Sequence, residues 1–159
     1  MPKLTYEEEF ELKKSAVAIR KNVLRMIRAG RAGHVGGALS CTDIMTALYF
    51  KIMRVDPQKP DWPKRDRFVL SAGHKCLALY GTLAQKGFFE KSLLDTYGEL
   101  CTKLGGHPDM HKLPGVETNT GALGHGLSIA GGMALGLRID NLDAKVYVVM
   151  GDGELAEGS

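Results

Sequence analysis

Residues 146–159 read VYVVMGDGELAEGS. With Lys145 in front, KVYVVM is apolar at almost every position and lacks the in–out alternation of a half-exposed strand. That is the pattern of a parallel strand covered on both faces. The run stops at Gly151-Asp152-Gly153. Open parallel sheets gather their ligands beyond the carboxyl ends of the strands, so the Asp152 carboxylate is expected to face a crevice. A hard divalent cation such as Mg²⁺ takes a carboxylate together with the oxygens of a diphosphate. Gly153 would let its backbone N–H approach the same diphosphate. The plain alternative is that GDG is an ordinary tight turn.

Working outward, Gly124 to Arg138 predicts a helix with Gly126, Ala130 and Ala134 four apart, a small-residue face that lets another element come close. That element is either a second chain or the domain's own sheet. Further upstream, RFVLSAGH (residues 67–74) reads as a short strand broken at Gly73, followed by a helix from about Lys75 to Lys86 with Gly87 as its cap. Strands separated by helices imply an α/β fold, a parallel sheet with helices on both faces, spanning residues 1–159 as a single domain. The segment between Gly98 and Gly121 is long and aperiodic, which in a compact domain marks a functional loop.

The N-terminal third is helical. Thr5-x-x-Glu8 reads as a capping box for a helix ending near Gly30, with Phe10, Val17, Val23, Leu24 and Ile27 on one broad inward face. The glycine-rich loop AGRAGHVGGALS follows, after which Ser40 is expected to cap a second helix carrying Ile44, Leu48 and Ile52. Pro57, Pro60 and Pro63 end it. A shorter helix is expected over Ser92–Tyr97.

Composition narrows the function classes. Of 159 residues, 44% are apolar and 25% charged, as in ordinary globular proteins, and the net charge of +3 is spread out, which argues against nucleic acid as a partner. The 3 cysteines, Cys41, Cys76 and Cys101, form no CxxC pair and suit a reducing, cytoplasmic setting. MPKLTYEEEF lacks a signal-peptide core, and the uncharged stretch Gly121–Leu137 is too short and glycine-rich to span a membrane.

The histidines carry a second signal. His34, His74, His107 and His125 each adjoin a glycine, and the first three fall in loops, where imidazole can transfer protons near neutral pH. Each taken alone is as well explained by an ordinary surface position. GGHPDMH offers His107, Asp109 and His111 as metal ligands, but Pro108 and the lack of helix speak against a preformed zinc site. GALGHG has phosphate-loop glycines without GxGxxG spacing or a Walker lysine.

These motifs together resemble the N-terminal, diphosphate-binding part of the transketolases, which are thiamine diphosphate enzymes. AGRAGHVGGALSCTDIMTALYF resembles the family's first histidine loop, RDRFVLSAGHKCLALYGTLAQKG is the most specific match, and GGHPDMHKLPGVETNTGALGHGLSIAGGMALG resembles the stretch from the third histidine to the glycine-rich helix. VYVVMGDGELAEGS matches the start of the thiamine diphosphate motif. The short N-terminus and the absence of a long insert resemble the small N-terminal subunit of a split transketolase.

The resemblance implies a thiamine-diphosphate-binding fold, here a partial domain, with thiamine diphosphate and Mg²⁺ or Ca²⁺ as cofactors. By alignment with the family, His74 contacts the diphosphate and Gly121, Ala122 and Leu123 lie along the aminopyrimidine and thiazolium. Asp152 is the metal ligand, Gly153 gives a diphosphate-binding amide, and His34 and His107 reach the sugar hydroxyls. Glu157 matches an acidic residue at the subunit interface. The implied activity is transfer of a two-carbon ketol unit between sugar phosphates, as in the pentose phosphate pathway. The implied partner is a C-terminal subunit carrying the pyrimidine-binding domain, in a homodimer or heterotetramer. A deoxyxylulose phosphate synthase-like or dehydrogenase E1-like component is the alternative within the wider class, and an inactive fragment is the alternative outside it. The family's motif continues into an asparagine pair that would lie beyond Ser159, so a truncated chain, inactive alone, is expected. Val35 and Ala122 stand where the family commonly has proline.

Overall fold

The computed structural model describes residues 3–159. The first helix, α1 (Tyr6–Gly30), opens on the expected capping box: Thr5 Oγ1 accepts from the Glu8 N–H at 3.2 Å, and Glu8 Oε2 accepts from the Thr5 N–H at 3.0 Å. Glu7, Glu8 and Glu9 in its first turn suit the positive end of the helix dipole. Its inward face differs from the expectation. Ala16, Ile19, Val23 and Met26 are buried, whereas Phe10, Val17 and Leu24 are each at least half exposed. At 100° per residue, these three lie roughly 120–160° round the helix from the buried stripe. Ile19 and Asn22, the latter donating to the Gly81 carbonyl at 3.1 Å, lie close against Gly81 and so select the inward face.

The second helix, α2 (Val35–Ala47), starts five residues before the expected Ser40 cap, with His34 at the N-cap position. Gly36 and Gly37 of the supposed loop are helical, and Ser40 donates back to the Gly37 carbonyl at 2.9 Å instead of capping. Val35 therefore occupies the first helical position, where proline is well tolerated, so its replacement there changes little. Ala38, Cys41, Met45 and Tyr49 form the buried line, while Ile44 stays exposed, and the last turn widens into a π-turn over Leu48–Ile52.

The proline-rich connection then delivers Asp66 to the foot of the sheet. This buried carboxylate accepts from the Arg54 N–H and the Lys145 N–H, both at 2.8 Å, and from the Arg54 guanidinium at 3.1 Å. It thereby ties together the starts of β1 (Arg67–Leu70) and β2 (Val146–Val149), which pair in parallel with Phe68 beside Tyr147 and Leu70 beside Val149.

Alternation sorts the side chains of the sheet into two layers. Phe68, Leu70, Tyr147 and Val149 join the main apolar core with α1, α2 and α3 (Cys76–Lys86). The other face receives α4 (His125–Ile139), which packs on both strands. Helices thus cover both faces, as expected for this α/β fold. The cover over β2 is partial, since Val146, Tyr147 and Val148 are only half-buried. Nearly all of α3 is buried, in keeping with a helix apolar all round, and Gly87 caps it at φ 98°. A short 3₁₀ segment, Lys91–Thr96, replaces the shorter expected helix, and the segment from Gly98 to Gly121 forms no helix or strand.

Of the small residues on α4, Gly126 and Ala130 face the sheet and are buried, and Ala134 is exposed. A methyl group on Gly126 would overlap the Ser71 side chain. Those two small residues serve the domain's own sheet, which settles that alternative.

Candidate functional site

Parallel register brings the two strand ends side by side, and Ser71 N–H donates to the Val149 carbonyl at 3.0 Å. The chain leaves β1 through Ser71-Ala72-Gly73-His74-Lys75 and leaves β2 through Met150-Gly151-Asp152-Gly153-Glu154. Both exits are short-range turns: a 3₁₀ segment at Gly73–Lys75 and another at Asp152–Ala156. The crevice sits where open parallel sheets place ligands.

Glu154, which the sequence reading did not single out, organises this crevice. It is buried, and Oε1 accepts from Ser71 Oγ at 2.6 Å and from the Gly124 N–H at 3.1 Å, while Oε2 accepts from the Gly151 N–H at 2.6 Å. One carboxylate therefore joins the end of β1, the start of α4 and the turn after β2. Burial by itself would raise its pKa. The hydrogen bonds from Ser71, Gly151 and Gly124 and the nearby Lys75 charge outweigh burial and hold the carboxyl below its ordinary value. Its signal in the sequence was only its place after GDG, where an acidic residue reads as a solvated turn.

The histidines partly converge. The rings of His34 and His74 meet edge to face with centroids 5.0 Å apart. Burial, and then the charges of His34, Lys75 and His107, hold His74 below the usual imidazole value against the pull of Glu154. His74 is thus neutral near pH 7 and can accept as well as donate. The His107 ring lies against Gly121, close enough that a side chain on Gly121 would press on it at 3.2 Å. Gly73 in turn lies against the backbone and hydroxyl of Thr120, leaving no room for any larger residue there. The Thr120 hydroxyl is buried without a hydrogen-bond partner.

Gly121, Ala122 and Leu123 run into α4, and Gly121 and Ala122 line an open groove of about 270 Å³ with Asn119 and His125. Asp152 and Gly153 are exposed on the rim, and nothing approaches within 4 Å of where a Gly153 side chain would stand. Glu157, also exposed, sits against Gly124. Lys75, expected only as the start of a helix and not as a site residue, stretches between Gly37 and Gly151.

His111 stands apart from this arrangement. It belongs to a different groove beside Arg65 and Glu117, and Asp109 accepts from the His111 N–H at 2.9 Å. Among the described residues no three His, Cys, Asp or Glu side chains stand close enough to hold one metal ion. No described helix is long and apolar enough to cross a membrane.

The donor set suits a metal-bound diphosphate: basic groups at His34, His74 and Lys75, one exposed carboxylate at Asp152, and an unobstructed backbone at Gly153. Comparison with known proteins agrees with the diphosphate part of that reading. One subunit of the apulose-4-phosphate transketolase of Phocaeicola vulgatus is 54% identical over 140 residues, covering 88% of this chain and 50% of that protein. A 6-deoxy-6-sulfo-D-fructose transketolase subunit of Clostridium sp. is 47% identical over 152 residues, covering 96% and 55%. The chain thus spans about half the length of these curated relatives. Among solved structures, a transketolase variant from Pichia stipitis superposes with a TM-score of 0.86 at 35% identity, covering 92% of this chain and 23% of that one. Leishmania mexicana transketolase gives 0.84 at 33%, covering 92% and 24%. Residues 12–159 match the transketolase thiamine diphosphate-binding domain, and the chain belongs to that family.

Proposed function

We propose that this chain is the diphosphate-binding part of a two-polypeptide transketolase that moves a two-carbon ketol unit from a ketose to an aldose, with thiamine diphosphate and Mg²⁺. The observation that carries this reading is the meeting of the His34–His74 pair, the Gly121 loop and the Asp152–Gly153 turn at the ends of two paired parallel strands. Asp152 would hold the Mg²⁺, with diphosphate oxygens completing much of its shell. The Gly153 N–H and His74 would hold the diphosphate, and Gly121 to Leu123 would lie along the cofactor's rings, the Gly121 carbonyl accepting from the aminopyrimidine.

Bound thiamine diphosphate supplies the carbon nucleophile and the electron sink. His34 and His107, both exposed at the crevice, would bind the sugar hydroxyls and move protons there. The two relatives act, by their names, on apulose 4-phosphate and on 6-deoxy-6-sulfo-D-fructose. Both are ketoses with an anionic tail, and we assign that class to the donor here. Glu157, beside the start of α4, would meet the neighbouring subunit. The three unpaired thiols suit the cytoplasm.

Because Asp152, His34 and His107 are exposed, a second polypeptide carrying the pyrimidine-binding domain is expected to close the site, in a homodimer or a heterotetramer. Calorimetric titration with Mg²⁺ and thiamine diphosphate tests this. The isolated 159 residues should show no tight binding, and the full-length subunit with its partner should bind and transfer ketol units. Tight binding by the 159 residues alone would overturn the two-polypeptide site.

A further inference from the structure

Lys75 places an ammonium at the crevice without a direct ion pair among the described residues. Its stem crosses α2 at Gly37, where Cγ, Cε and Cδ lie 3.2–3.7 Å from the position a Cβ would take. A Cβ at this position would crowd the stem, which glycine leaves clear. The Nζ ends 3.5 Å from the corresponding position on Gly151, directly before Asp152 and Gly153.

No carboxylate among the described residues lies within salt-bridge distance of it. Glu154 is near enough for the Lys75 charge to help hold its carboxyl below the ordinary value, but it makes no direct ion pair with the ammonium and accepts instead from Ser71, Gly124 and Gly151. A half-buried cation, guided by a glycine to the turn after β2 and adjacent in sequence to His74, is arranged for an anion that arrives from outside.

We infer that Lys75 is a further diphosphate-binding residue, its ammonium donating to a phosphate oxygen of thiamine diphosphate on the side of the Asp152–Gly153 turn. This rests on the cofactor reading above. It also fits Gly37, since a Cβ there would press on the lysine stem at 3.2 Å. The contact adds a charge-assisted hydrogen bond to those from His74 and the Gly153 amide, and recognises the phosphates without regard to the thiamine rings. Inorganic pyrophosphate should therefore feel it as strongly as the cofactor does.

The test uses the full-length subunit in complex with its partner. Thiamine diphosphate affinity is measured by calorimetry in saturating Mg²⁺, and pyrophosphate affinity by competition, for the wild type, Lys75→Met and Lys75→Arg. Lys75→Met should weaken both ligands about tenfold to a hundredfold and flatten the salt dependence of binding, with the unliganded melting temperature unchanged. Lys75→Arg, which keeps the charge, should recover most of the affinity. Wild-type binding with Lys75→Met equally tight would overturn this assignment and leave the cofactor reading intact. A drop in melting temperature with unchanged pyrophosphate affinity would also overturn it, making Lys75 a packing residue. A wild-type complex that binds no thiamine diphosphate would overturn the cofactor reading itself.

Discussion

Glu154 shows how much one buried charge can organise. Three donors converge on it from three separate parts of the chain, so replacing it should disturb the crevice more than removing any exposed residue of the site. Glu154→Gln keeps the size but turns an N–H₂ group toward a donor that needs an acceptor. A loss of about 1–3 kcal/mol is expected, read as a lower urea midpoint at constant slope. An unchanged midpoint would mean that the carboxylate is a bystander. This residue also marks a limit of reading from sequence. Asp152 and Gly153 could be picked out because strand ends and glycines have local signatures. Glu154 and Lys75 could not, because each acquires its role from partners brought in by folding: Ser71 lies 83 positions from Glu154, and Gly37 and Gly151 flank the lysine only in three dimensions. The His34–His74 contact depends in the same way on α2 beginning at Val35.

At the scale of elements, the boundaries set by local chemistry were legible. The Thr5 box, the Gly87 cap, both strands and the start of the last helix stand where the sequence places them. The inward faces of α1 and α2 were not, since a helix apolar on more than one side does not say which side meets the core. Close approach of Ile19 and Asn22 to Gly81 decides it for α1. The foot of the sheet offers a pH test. Burial raises the Asp66 carboxyl, but hydrogen bonds from the Arg54 and Lys145 amides and the Arg54 side chain more than offset this and lower its pKa. A carboxyl depressed in the folded state stabilises fully above its ordinary value, near pH ~4, and loses that contribution as pH falls through the folded value. Asp66→Asn should therefore cost about 1–3 kcal/mol at pH 7, with the gap to wild type narrowing as the solution is acidified below pH ~4. Denaturant unfolding at pH 7 and at pH 3 would show it, and a gap constant with pH would refute it.

Across the whole molecule, α4 separates two surfaces. Gly126, Ala130 and Leu137 face the sheet, while Leu127, Leu135 and Ile139 are more than half exposed, as is Leu155 after β2. In the proposed assembly these outward residues are covered by a second copy of the chain. Leu135→Glu should lower the mass of the full-length subunit seen by light scattering without lowering its melting temperature. An unchanged mass would remove this face from the assembly. Ala130→Leu, by contrast, should destabilise the fold, because Ala130 is already buried against the strands. The sheet has a further consequence, in time. Asp66 and its partner Lys145 are 79 residues apart in sequence, and among the described residues the strand that pairs with β1 is made only after Lys145. At about 5–20 residues per second on the ribosome, that is a wait of about 4–16 s. Through that interval β1 has α1, α2 and, once made, α3 to pack against its face, while its edge stays open to non-native pairing.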